Sequence, residues 1–145
     1  MQETFYPFTL TRHELRYEFV SVSIAKHVKK IVTLNLTTSV NTYNLALLDI
    51  LDNGRLSDMS ESNNQDLRKI LSTIIKVIED FTSKYPRSSV AFRGSDQRRQ
   101  RLYRIVIARE LSEILKKFEV HGSIENEMHL FEPNVDYDFY LISRI

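Results

Sequence analysis

The chain has 145 residues, 42% of them hydrophobic and 27% charged, with a formal net charge of +1. That length suits one domain able to bury its core without covalent staples, so a single domain over 1–145 is expected. The absence of cysteine excludes disulfides and thiolate metal sites, and three Gly with three Pro leave little room for disorder.

Met1-Gln2-Glu3-Thr4 is not basic and no apolar stretch follows it, so no secretory signal is expected. No run approaches the roughly 18 apolar residues that span a bilayer. The expectation is a cytoplasmic protein without a membrane partner. Arg16 to Ser23 is short and rich in β-branched and aromatic residues, and Ile31 to Thr37 alternates with the period of a half-buried strand. Tyr43 to Ile50 is a third, more apolar strand, closed by the turn residues Asp52-Asn53-Gly54. Arg55 to Asn63 reads as a loop.

A first helix is predicted from about Asn64 to Lys84. Leu67, Ile70, Leu71, Ile74, Ile75, Ile78, Phe81 and Tyr85 repeat at three-and-four spacing, with Asn63 or Asn64 as cap and Pro86 at the exit. Ser89 to Arg93 is a short strand, and Gly94-Ser95-Asp96 turns it into a second helix from about Gln97 to Phe118. Glu119 to Ile124 is extended, Asn126 to Asn134 irregular, and Tyr137 to Ser143 the last strand. The order β-β-β-α-β-α-β-β predicts an α+β fold: a mainly antiparallel or mixed sheet with two helices packed on one face.

Charge is unevenly spread. Lys84 to Arg109 holds eight basic residues and one acid, Asp96, whereas Glu119 to Asp138 holds six acids and no Lys or Arg. Such asymmetry marks an anion-binding face, or two parts of one surface attracting each other. Projected at 100° per residue, Tyr103, Ile107, Leu111, Ile114, Leu115 and Phe118 share one face of the second helix, and Arg104 falls in the same sector. Arg104 therefore needs a partner, from Glu18, Asp49 or the acidic C-terminal segment. Leu102, Ile105 and Val106 project oppositely and require a cover, either the segment Phe5 to Leu10 or a second copy in a homodimer.

The candidate ligand-binding residues are Arg93, Gly94, Ser95, Arg99, Arg101 and Arg104, with Asn63 and Asn64 at the first helix start. Gly94 admits a tight turn or a close ligand, a helix start suits phosphate, and arginines add bidentate contacts. Arginines at a helix start oppose the helix dipole, which argues for a role other than helix stability. A cap and a turn would also account for Gly94-Ser95-Asp96 and for the two asparagines. Tyr103 is the catalytic candidate. His13, His27, His121 and His129 lie in separate segments with no metal-ligand spacing, and no Walker loop, GxGxxG or GxSxG occurs. No metal and no cofactor are expected.

Two blocks carry a resemblance: Ser62-Asn63-Asn64-Gln65-Asp66-Leu67-Arg68-Lys69-Ile70-Leu71, and Tyr85-Pro86-x-x-x-Val90-x-Phe92-x-Gly94-Ser95-x-x-x-Arg99-x-Arg101-Leu102-Tyr103-Arg104. Over nearly the whole chain the sequence resembles an uncharacterised family of small bacterial proteins, a domain of unknown function. Gln65 and Asp96 stand where that pattern more commonly has Gly and Thr. The resemblance implies no known activity. In element order the chain also resembles the C-terminal two-thirds of acetyl-CoA-dependent N-acyltransferases, which implies a tyrosine such as Tyr103 near the leaving thiol. The glycine-spaced pyrophosphate loop of that superfamily is missing, and Ser62 to Gln65 takes its place.

Three functions follow as expectations. The first is a non-catalytic binding domain recognising an anionic ligand, phosphate-bearing or nucleic acid, through Arg93 to Arg104. The others are an acyltransferase-like enzyme and a homo-oligomeric interaction protein using Leu102, Ile105 and Val106.

Overall fold

The computed structural model describes residues 5–10, 16–22, 27–51, 53–57 and 67–145. Its elements run β1 (Thr9–Leu10), β2 (Arg16–Val22), β3 (His27–Leu36), β4 (Thr42–Ile50), β5 (Leu56–Ser57), α1 (Leu67–Lys84), β6 (Ser89–Phe92), α2 (Gln97–Arg109), α3 (Leu111–Ile114), β7 (Phe118–Ile124), β8 (Glu127–Leu130) and β9 (Phe139–Arg144). The predicted order is present, enlarged by the short strands β1, β5 and β8 and by α3.

Among the described residues nine strands form one mixed sheet, eight of them in the order β1-β2-β3-β4-β6-β9-β7-β8, with β5 paired to the end of β4 off that path. Every pairing is antiparallel except β4 with β6, which are joined by the crossover through α1. Alternation sorts the side chains. Tyr17, Val32 and Leu47 lie in register across three strands, as do Val90, Ile142 and Val120 across another three. This face forms one core with Ile70, Leu71, Ile74, Ile78 and Phe81 of α1 and Tyr103, Val106 and Ile107 of α2. Both long helices therefore cover the same side of the sheet.

α1 forms where the three-and-four spacing predicts, and its apolar stripe is buried from Ile70 to Phe81. The Phe81 ring meets Tyr43 edge-on at 4.9 Å, which locks the helix end over β4. The segment Phe5 to Leu10 packs beside α1. The Tyr6 amide donates to Thr73 Oγ1 at 2.8 Å, and its ring stacks on Phe19 at 5.7 Å.

Three expectations change. The second helix stops at Arg109: Glu110 leaves helical geometry at φ −100° and ψ 10°, and α3 follows as a single short turn. Leu115, expected on the sheet side, is exposed as a result. The irregular stretch after Asn126 contains β8, because Glu125 and Asn126 adopt φ 50° and 67° and make a two-residue hairpin turn. The last strand begins at Phe139, and Tyr137 sits before it against Gly122. A Cβ at Gly122 would fall 2.2 Å from the Tyr137 ring, so only glycine lets that ring lie on β7.

Candidate functional site

The entry to α2 is built by short-range contacts. A Cβ on Gly94 would lie 2.4 Å from Gln100 N and 2.7 Å from the Arg99 carbonyl carbon, so only glycine lets the helix start press onto the strand exit. The Gly94 amide donates to Gln100 Oε1 at 2.7 Å, Gln100 Nε2 donates to the Tyr137 carbonyl at 2.9 Å, and the Tyr140 hydroxyl donates to the Gln100 carbonyl at 2.9 Å. Gln100 thus ties the turn to the C-terminal segment.

Asp96 is the N-cap, accepting from the Arg99 amide at 2.8 Å. The Arg99 guanidinium donates to Ser95 Oγ at 2.6 Å and to Asp96 Oδ2 at 3.3 Å. The Asp96 carboxylate stands where a bound phosphate would have to sit at this helix start. Gly94, Ser95 and Arg99 are engaged within the chain.

The other arginines are placed differently. Arg104 points toward the segment before β9, where its Nη1 lies 3.4 Å from Asp136 Oδ1. Its side chain is 16% exposed, and its buried Nε has no hydrogen-bond partner among the described residues. The acidic C-terminal segment therefore supplies the partner for Arg104. Arg93, Arg101 and Arg109 are exposed and form no ion pair among the described residues, and Arg98 is exposed beside them.

α2 carries five arginines and no acid or lysine. Arg98, Arg101, Leu102, Ile105 and Arg109 fall within about 100° of arc on its outward face. From Arg98 to Arg109 this stripe is roughly 16 Å long. Of the three apolar residues expected at an interface, Val106 is buried in the core, Leu102 is half-buried, and Ile105 is 37% exposed. Asn63 and Asn64 lie outside the described residues.

A family model for a family of unknown function matches residues 2–145. The chain belongs to the family of unknown function DUF6934. No curated protein and no solved structure matches it.

Tyr103 is 5% exposed, its ring 6.2 Å from that of Phe92. Burial pushes its hydroxyl above the ordinary tyrosine value; Arg99 opposes the shift, and Asp96 and Asp49 add to it. No helix among the described residues is long and apolar enough to cross a membrane. His121 and His129 lie opposite Leu130 and Gly122 on paired strands, so their side chains leave opposite faces of the sheet. No group of three metal-ligating residues occurs among the described residues.

One polar pair escaped the sequence reading. Lys30 and Asp49 are register partners on the helix side of the sheet, 4% and 3% exposed, with Lys30 Nζ 2.5 Å from Asp49 Oδ1. Asp49 is thus taken by Lys30 and not by Arg104. Asp49 Oδ2 has no hydrogen-bond partner among the described residues. The signal was present in the alternation, which puts Lys30 in phase with Val32 and Leu34.

Proposed function

We propose that this DUF6934 chain is a non-catalytic binding domain that holds an anionic, phosphate-bearing ligand on the outward face of α2. The observation that carries the reading is the excess charge of that helix: five arginines and no acid, with Arg99 and Arg104 held by Asp96 and Asp136, and exposed Arg101 and Arg109 without an ion pair among the described residues. Like charges at helical spacing repel, and cations near a helix start oppose its dipole. For Arg101 and Arg109 no carboxylate among the described residues offsets that cost. Phosphate offsets it, because guanidinium groups bind phosphate oxygens in pairs through fixed donors.

The helix start itself is not the binding point in this reading, since Asp96 fills it. The ligand lies along the arginine stripe, with exposed Arg93 at the end of β6 contributing charge nearby. Retention on heparin at low salt, eluting as salt rises, is the expected behaviour. The double variant Arg101→Glu/Arg109→Glu, folded by circular dichroism, should elute much earlier. A wild-type chain that passes through heparin at low salt would end the proposal.

A further inference from the structure

Resting on that reading, we infer that the ligand is the backbone of duplex nucleic acid, specifically B-form DNA. Three features of α2 narrow the polyanion to this class.

The first is spacing. Arg101 and Arg109 stand about two turns apart on one rigid helix, roughly 12 Å along its axis. A single phosphate sits at one of them. A polymer with regularly placed phosphates can engage both, and a stiff one does so without the ordering cost of a flexible strand.

The second is the lack of a stacking surface. Single strands are gripped by aromatic side chains on which bases stack, each base contributing about 1–3 kcal/mol. Tyr103 is the one aromatic residue of α2, and its ring is buried against Phe92. The exposed aromatics Phe5 and Tyr85 belong elsewhere, Phe5 beside Lys76 of α1 and Tyr85 against Phe81 at the end of α1. What lies between the outward arginines is Leu102 and Ile105, half-buried and partly exposed. Small apolar groups of this kind meet sugar edges and thymine methyls but cannot stack bases.

The third is shape. A helix face fits the roughly 12 Å major groove of B-form DNA, whereas the deep, narrow A-form major groove excludes it. The arginines contact phosphates and carry no base code, so binding is expected to be weakly sequence-dependent.

The test uses the full chain and fluorescence anisotropy with a short mixed-sequence DNA duplex, one of its single strands, and an RNA duplex of the same sequence. Expected is several-fold tighter binding to duplex DNA than to either alternative. With Arg101 and Arg109 engaged, log K against log salt should have a slope of about −1.8, two contacts at about −0.9 each. Arg101→Ala, with an unchanged thermal melt, should reduce that slope by about 0.9 and weaken every duplex sequence alike. Single strand or duplex RNA binding as tightly as duplex DNA overturns this inference while retention on heparin keeps the anion-binding reading. Loss of heparin retention itself overturns that reading instead. An unchanged slope in Arg101→Ala also overturns the inference, because Arg101 would then touch no phosphate.

Discussion

On α1, Lys76 and Lys117 meet Glu79 at 3.5 and 2.6 Å, Lys84 meets Asp80 at 3.1 Å, and Lys69 lies 4.3 Å over the Tyr6 ring. On α2, beside it on the same face of the sheet, Arg99 is held by Asp96 and Arg104 leans toward Asp136, while Arg101 and Arg109 face outward with no carboxylate among the described residues. Both helices are basic on their solvent sides. On α1 each of these cations meets a carboxylate or a ring of its own chain, whereas on α2 Arg101 and Arg109 meet neither among the described residues. A helix that only closes a core can afford neutral surroundings, so the imbalance on α2 is the place to look for an external partner.

The comparison predicts that the two helices respond differently to mutation. The largest effect is expected in the α1 core. Phe81→Ala removes a fully buried ring that packs on Tyr43 and Tyr85, and should cost about 3–5 kcal/mol in urea unfolding. The surviving folded fraction should elute from heparin as the wild type does. Next is Gly94→Ala. Its methyl would meet the α2 backbone and no flexible side-chain tip, so the helix start must move, at about 1–3 kcal/mol. Unchanged stability there would mean that α2 is not pressed onto its entry loop, and the closed helix start would lose its basis.

The elements that sequence reveals best are those whose burial alternates or repeats. β2 to β4, α1 and the start of α2 are all of that kind. β8 was hidden because all four of its side chains are exposed and its turn, Glu125-Asn126, lacks the glycine that usually marks such hairpins. The stop at Arg109 was hidden because Ile107, Leu111 and Ile114 continue the helical spacing through it; a tie from Arg68 of α1 to Glu110, at 2.7 Å, accompanies the break. At the candidate site, the excess of arginine is a matter of composition and was legible. Which arginines are spoken for was not, because Asp136 meets Arg104 only after the chain returns some thirty residues later.

Asp96 separates capping from charge. Asp96→Ala should cost about 1 kcal/mol by freeing the Arg99 amide. Asp96→Asn keeps an acceptor at that amide and should lose less, yet it removes a carboxylate beside the stripe, so heparin elution should move to higher salt. Elution at lower salt would mean that Asp96 positions the arginines and does not neutralise them.

Acid should act on α1. Burial by itself would raise the Glu79 and Asp80 carboxyls, but Lys117 and Lys76 at the first, and the Tyr17 hydroxyl at 2.6 Å and Lys84 at the second, hold both below their ordinary values. A lowered folded pKa gives stability that is complete above the ordinary carboxyl range and lost as pH falls through it. The urea midpoint should therefore drop below about pH 4, less steeply in Asp80→Asn. A guanidinium group stays protonated at any pH at which a protein folds, so heparin retention should persist for as long as the chain stays folded.

The smallest effects have the sharpest meaning, because their signs should differ. Lys84→Gln gives up the i,i+4 pair with Asp80 and should cost about 0.3–0.5 kcal/mol. Arg101→Gln gives up no pair among the described residues. It removes a cation that stands one turn from both Arg98 and Arg104, and the relief should stabilise the fold by about 0.2–0.5 kcal/mol. Added salt should shrink both differences, since both are exposed-charge effects. If Arg101→Gln instead destabilises the chain as Lys84→Gln does, Arg101 has an internal partner after all, and the charge on α2 is as domestic as that on α1.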